Sequence, residues 1–349
     1  MSGAIEMKLL VTGSEGYIGS LLVEILMQHG HDVTGLDTGF YRDGQLYNGV
    51  KRAVCQIKKD IRRVTSDDVR GFDAVVHLAE LSNDPLGQHN PALTHQINHQ
   101  GSVTLATLAR KAGVPRFVYT SSCSVYGVAA DESVTEKSPT NPQTAYAKCK
   151  VLVERDVAAL ADDGFSPTFL RNATAFGASP RMRFDIVLNN LAGLAWTTKE
   201  IKMTSDGTPW RPLVHVLDIC GAIVGSLAAP REVIHNQVFN VGDNAQNYRV
   251  REIAEVVAEV FPGCRLSFGA STGDNRSYRV NFDKINSRLP GFRCRRDLRL
   301  GAQELRALFE KINLTRETFE FRAFTRLKQL EHLLRTQQVD EHFFWKQLQ

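Results

Sequence analysis

Short apolar runs alternate with stretches of helical spacing through the first half of the chain. MKLLVTG (7–13), HDVTGLD (31–37), AVVHLA (74–79), RFVYTSS (116–122) and PTFLRNA (167–173) have the short, nearly continuous apolar character of buried strands. Between them, SLLVEILMQHG (20–30), HQINHQGSVTLATLARKAG (95–113) and AYAKCKVLVERDVAALADDG (145–164) place apolar residues on one helical face. Each of these closes on glycine, as helix C-termini commonly do. The alternation predicts an α/β fold with a parallel sheet covered on both faces.

After residue 177 the rhythm changes. GASPRMRFDIVLNNLAGLAWTT reads as a loop followed by an amphipathic helix, and YRVREIAEVVAEVFPG (248–263) as a helix ended by Pro-Gly. PLVHVLDI (212–219) and QVFNVGD (237–243) read as strands returning to the sheet. FTRLKQLEHLLRTQQVDEHFFW reads as a terminal helix docked on the body. The expected organisation is a larger domain over 1–180, rejoined by 212–243. A smaller lobe follows from 181–211 and 244–330, with a helical tail over 331–349.

Composition narrows the partners. With 349 residues the chain can build two cored lobes, and 43% hydrophobic and 23% charged residues are ordinary for a globular protein. A formal charge of +4 is too mild to indicate nucleic acid or a membrane surface. The arginines at 293, 295, 296 and 299 lack interleaved aromatics and read as a solvated face. No signal-peptide pattern opens the chain and no long apolar span follows, so the expectation is cytoplasmic, with no membrane partner. Six scattered cysteines without a C-x-x-C pair read as reduced thiols. His95 and His99, with His89 nearby, have helical spacing but no accompanying metal-ligand pattern, so no metal is expected.

The chemistry begins in LLVTGSEGYIGS, where Gly13, Gly16 and Gly19 stand between the first strand and the first helix. Glycines there allow a tight turn and close approach of backbone to a pyrophosphate, which the helix N-terminus then attracts. Asp37 ends the second strand, where a carboxylate accepts hydrogen bonds from ribose hydroxyls and repels a 2′-phosphate. The pattern predicts a Rossmann-type, doubly wound sheet binding NAD rather than NADP, with Arg42 close enough to soften that preference. Further on, Tyr146 and Lys150 lie on one face of a predicted helix. A phenol is a weak base at neutral pH, and a neighbouring ammonium favours its ionised form. Ser122, at the carboxyl end of its strand, can share a substrate oxygen with that phenol.

VTGSEGYIG, VVHLA, SSCSVYG, YAKCK, FLRNATAFG and RPLVHVLDI, in this order, resemble the extended short-chain dehydrogenase/reductase family acting on nucleotide sugars, over roughly residues 7 to 290. The resemblance implies a Rossmann domain and a smaller C-terminal lobe that grips a nucleotide diphosphate. It implies catalytic Ser122, Tyr146 and Lys150, the last two also touching the cofactor. Gly13, Gly16, Tyr17, Ile18 and Gly19 would form the phosphate loop, with Asp37 at the ribose and Asp60 and Ile61 by the adenine. Leu78, Ala79 and Asn98 would lie along the cofactor. Ser82, Cys123, Ser124, Thr174, Arg211 and Arg276 would face the substrate, the two arginines toward its diphosphate. Thr174 stands where many relatives have asparagine, and the PRMRFD loop (180–185) departs from the family pattern. The resemblance also implies a homodimer paired through helices near 95–112 and 146–161.

The family's 4,6-dehydratases carry an Asp-Glu pair after the catalytic Ser or Thr, and its 4-decarboxylases usually a glutamate at the second of those positions. Cys123 and Ser124 stand there, which disfavours both reactions. Cys123 reads as a packed thiol in preference to an acid/base. What remains is a 4-epimerase, working through a transient 4-keto sugar on tightly held NAD, or a 4-ketoreductase consuming NAD(P)H. Asp37 favours the epimerase, since the reductases commonly prefer NADPH. A non-catalytic NAD-binding regulator would tend to lose Tyr146 or Lys150, and both are present.

Overall fold

The computed structural model describes residues 6–49, 54–82, 90–129, 133–270 and 276–346; His89 falls outside these. Seven strands form the main sheet: β1 (Lys8–Thr12), β2 (Asp32–Asp37), β3 (Cys55–Lys58), β4 (Ala74–His77), β5 (Arg116–Ser122), β6 (Ser166–Asn172) and β7 (Gln237–Val241). They run in the order β7-β6-β5-β4-β1-β2-β3, and every neighbouring pair is parallel. All of β4 and β6 is buried, as expected for strands covered on both faces. The chain order reverses between β1 and β4, and the crevice outside the carboxyl ends of such strands is where ligands bind in open α/β sheets.

Each face of the sheet has its own apolar core. Leu22 and Leu26 of the helix Gly19–Gln28 meet Ile219 and Ile223 of the helix Val216–Ala228 on one side. Leu105 and Ala109 meet Val153 and Val157 on the other. A third core, with Phe176, Leu191, Val257, Leu305 and Phe309, holds a smaller lobe around the helices Val187–Thr198, Val250–Val260 and Leu298–Lys311. No helix among the described residues is long and apolar enough to cross a membrane.

Three elements differ from expectation. The run 212–219 does not return to the main sheet; Trp210–His215 pairs with Thr174–Phe176 and Asn247–Arg249 in a separate three-stranded sheet. The chain turns helical at Val216, where the His215 ring accepts the Leu217 N–H as an N-cap. The stretch 95–113 belongs to a longer helical run from Pro91 to Lys111, whose middle, His95–Gly101, is a π-helix. The terminal helix spans only Arg326–Arg335, and the chain then folds back through a Val339–Trp345 bridge.

Candidate active site

One cavity of about 910 Å³ lies over the carboxyl ends of the strands and runs from the β1 glycine loop to the smaller lobe. At the loop, Gly13 has φ +72°, and a Cβ there would sit 2.9 Å from the Ala79 nitrogen. A Cβ at Gly19 would strike the Gly13 carbonyl, so no larger residue fits this tight turn beneath the cavity. The Tyr17 hydroxyl donates to the Gly177 carbonyl at 2.7 Å and ties the loop to the second lobe. Asp37 accepts the Glu15 N–H at 3.0 Å and the Gly39 N–H at 2.8 Å, which aims its carboxylate from the end of β2. Burial pushes this carboxyl above the usual range, and the two backbone donors oppose that. Arg42 is held by Glu15 at 2.8 Å. A glycine cradle closed by an acid at the second strand fits a dinucleotide.

On the opposite wall, the helix Ala145–Ala158 starts at the Thr144 cap, so Tyr146 and Lys150 share a face one turn apart. The Lys150 ammonium lies 5.4 Å from the centre of the Tyr146 ring and donates to the Thr120 carbonyl at 2.5 Å. It is 3% exposed and pairs with Glu80 at 2.6 Å. The second Glu80 oxygen accepts from the Tyr119 hydroxyl at 2.5 Å. Burial works to lower the pKa of this lysine, but Glu80 and Tyr146 outweigh it and hold the pKa above the ordinary lysine value. Ser122 Oγ accepts from the Ser124 N–H at 3.1 Å. Ser124 Oγ and Asn172 Oδ1 are buried in the wall with no hydrogen-bond partner among the described residues. Such groups are costly unless a ligand completes them.

Gly13, Gly16, Tyr17, Ile18, Gly19, Asp37, Asp60, Ile61, Leu78 and Ala79 all line this cavity. So do Ser82, Ser122, Ser124, Tyr146, Lys150, Thr174, Arg211 and Arg276. Two expected contacts stand apart from it. Cys123 is 1% exposed and its thiol donates to the Arg171 carbonyl at 3.1 Å, away from the cavity; burial pushes its pKa far up. It is a core residue and not a substrate contact. Asn98 is fully buried and brackets Leu81, accepting its N–H at 2.8 Å and donating to its carbonyl at 3.0 Å. It holds the Leu78–Ser82 loop in place without reaching the cavity. Glu80, Tyr41, Arg183, Asp185 and Arg326 also line the cavity, and none was singled out from the sequence. The acid inside HLAEL and the arginines of PRMRFD were the available signals.

His95 and His99 touch at 3.1 Å, and His99 pairs with Asp156 at 2.7 Å. No group of three or more His, Cys, Asp or Glu able to hold a metal ion occurs among the described residues.

Comparison with known proteins agrees with this geometry. The model of the NAD dependent epimerase/dehydratase family matches residues 9–242. The chain is 31% identical over 269 residues to the UDP-glucose 4-epimerase of Corynebacterium glutamicum, across 73% of this chain and 80% of that protein. It is 31% identical over 280 residues to the UDP-glucose 4-epimerase of Lactobacillus helveticus, across 73% and 82%. The structure of MoeE5 in complex with UDP-glucuronic acid and NAD is similar with a TM-score of 0.76 and 26% identity, covering 87% of this chain and 99% of that one.

Proposed function

The chain belongs to the NAD dependent epimerase/dehydratase family, with NAD as its cofactor, and from that premise we propose that it is a nucleotide-sugar 4-epimerase. The observation that carries the proposal is one cavity that joins the glycine loop and Asp37 to Tyr146, Lys150 and Ser122, and these to Arg211 and Arg276. In this reading the smaller lobe grips the diphosphate through Arg211 and Arg276, because guanidinium matches phosphate oxygens in pairs. The names of the relatives support a uridine diphosphate sugar.

Tyr146 takes the proton of the sugar 4-hydroxyl as general base and later returns it to the same oxygen as general acid, the inversion arising because the 4-keto sugar offers its other face when hydrogen is restored to carbon. Lys150, held beside the ring by Glu80 and Thr120, favours the phenolate through its charge. Ser122 hydrogen-bonds the same sugar oxygen and orients it. The glycine loop and Asp37 would hold NAD, which would supply a hydride acceptor and donor at the sugar carbon. Cys123 and Ser124 in place of an Asp-Glu pair leave no acid and base for eliminating water, which argues against a dehydratase. Two copies are proposed to pair through the helices Ser102–Lys111 and Ala145–Ala158.

The test is to release and identify the nucleotide carried by freshly purified protein, then to offer UDP-glucose and UDP-galactose without reductant. Bound NAD near one per chain and interconversion in both directions are expected. An empty site, with turnover only when NAD(P)H is supplied, would replace the proposal by a 4-ketoreductase.

A further inference from the structure

The C-terminal segment is built into the cofactor end of the cavity, beyond the residues that match the family model. Trp345 donates its indole N–H to the carbonyl of Thr38, the residue after Asp37, at 2.7 Å. Gln329 donates to the Phe40 carbonyl at 2.9 Å, and the Phe344 ring lies 3.9 Å from both the Arg62 and the Arg63 guanidinium. Leu330, Leu333, Val339 and Phe343 pack in one core with Leu36, Phe40 and Ile61. The tail therefore forms part of the wall behind the β2 end.

From this wall Arg326, the first residue of the helix Arg326–Arg335, faces the cavity. It is only 3% exposed. Its guanidinium lies 3.9 Å over the Tyr41 ring, and among the described residues no carboxylate is within ion-pair distance of it. The nearby Asp185 accepts the Arg326 backbone N–H at 3.2 Å, but its side-chain partner is Arg183, at 2.9 Å. Arg183 thus takes the direct contact, and Arg326 feels Asp185 and Asp37 only at longer range. Burial first, and then repulsion from Arg183, push the Arg326 pKa down to about 10. A buried cation with no contacting counter-charge is costly to fold, and an arriving anion would relieve that cost.

We infer that Arg326 is a cofactor-binding residue supplied by the C-terminal tail, and that its guanidinium pairs with the pyrophosphate of the bound dinucleotide. Asp37 at the end of the same wall argues against a 2′-phosphate as the anion. Arg183, which also reaches Ser82 at 3.3 Å, supplies positive charge beside it. The inference rests on the dinucleotide occupying the glycine-loop end and is independent of which sugar reacts. It gives the tail a role that an epimerase needs, since its cofactor must stay through many turnovers.

The experiment compares the parent with Arg326→Gln and Arg326→Lys, each stripped of nucleotide. Binding of NAD, ADP, adenosine and 2′,5′-ADP is followed by calorimetry, and release of NAD from the loaded protein by rapid dilution. Charge-assisted contacts to phosphate predict that Arg326→Gln weakens NAD and ADP roughly ten- to hundredfold, speeds NAD release and leaves adenosine unchanged, with Arg326→Lys between. Unchanged NAD and ADP affinity would overturn the inference. So would an equal loss for adenosine, which marks simple packing, or a loss confined to 2′,5′-ADP. Melting of the nucleotide-free variants checks folding; if Arg326→Gln unfolds, Arg326→Lys must still show the phosphate-selective loss.

Discussion

Lys150 and Glu80 form a 2.6 Å ion pair inside the cavity wall, with both side chains under 5% exposed. The pair joins the carboxyl end of β4 to the helix that carries Tyr146, so it fixes where the ammonium stands relative to the phenol. The pairing also sets a dependence on pH. The folded pKa of Lys150 lies above the free-lysine value, so its contribution to stability is full below that value and fades only as the pH climbs through the folded pKa. Glu80→Gln removes the contacting carboxylate and leaves burial in control, which lowers the folded pKa below that of free lysine. The variant should be about 3 kcal/mol less stable at neutral pH and should gain stability as the pH rises toward the free-lysine value, a range in which Lys150 of the parent gives no slope. Melting temperature against pH checks both slopes; parallel curves would show that the pair carries no charge coupling.

Tyr146→Phe removes the proposed acid and base while keeping the ring beside Lys150. Turnover should fall by about 10²- to 10⁴-fold, the range for general acid–base groups, with NAD still retained. Steady-state kinetics and mass analysis of released nucleotide separate the two effects, and near-normal turnover would remove Tyr146 from the mechanism.

Asp37→Asn keeps one acceptor oxygen where the carboxylate uses two, one for the Glu15 N–H and one for the Gly39 N–H, and it loses the charge. The preference for NAD over NADP should narrow by about 2 kcal/mol, since hydrogen bonds to a charged acceptor are the stronger kind. The ratio of the two dissociation constants reads this directly.

Cys123→Ala should change turnover less than about threefold, because the thiol points to the Arg171 carbonyl in the core and burial opposes its ionisation. The expected effect is a lower melting temperature. A collapse of activity in a well-folded variant would return the thiol to the site.

The features legible in the sequence were those written locally. The glycine loop, Asp37 and the Tyr146–Lys150 spacing each occupy one short segment whose strand or helix context reads from periodicity. What escaped depends on distant segments meeting. Glu80 and Lys150 are seventy residues apart in number, and only the sheet brings the β4 loop against that helix. Arg326 reaches the cavity because the tail folds back to Thr38 and Phe40, a route that no local pattern marks. The apolar run 212–219 suits a strand and a buried helix equally, and the His215 cap that decides between them is a tertiary detail. Cys123 stands between two cavity-lining serines, and the tight turn after β5 is what sends it the opposite way.

The central claim is that Tyr146 and retained NAD invert the sugar 4-carbon within a single binding event. UDP-galactose carrying deuterium at C4 tests it most directly, incubated with purified protein and no added nucleotide. The account predicts UDP-glucose that keeps the deuterium at C4. Absence of conversion, or product that has lost the label, would contradict it.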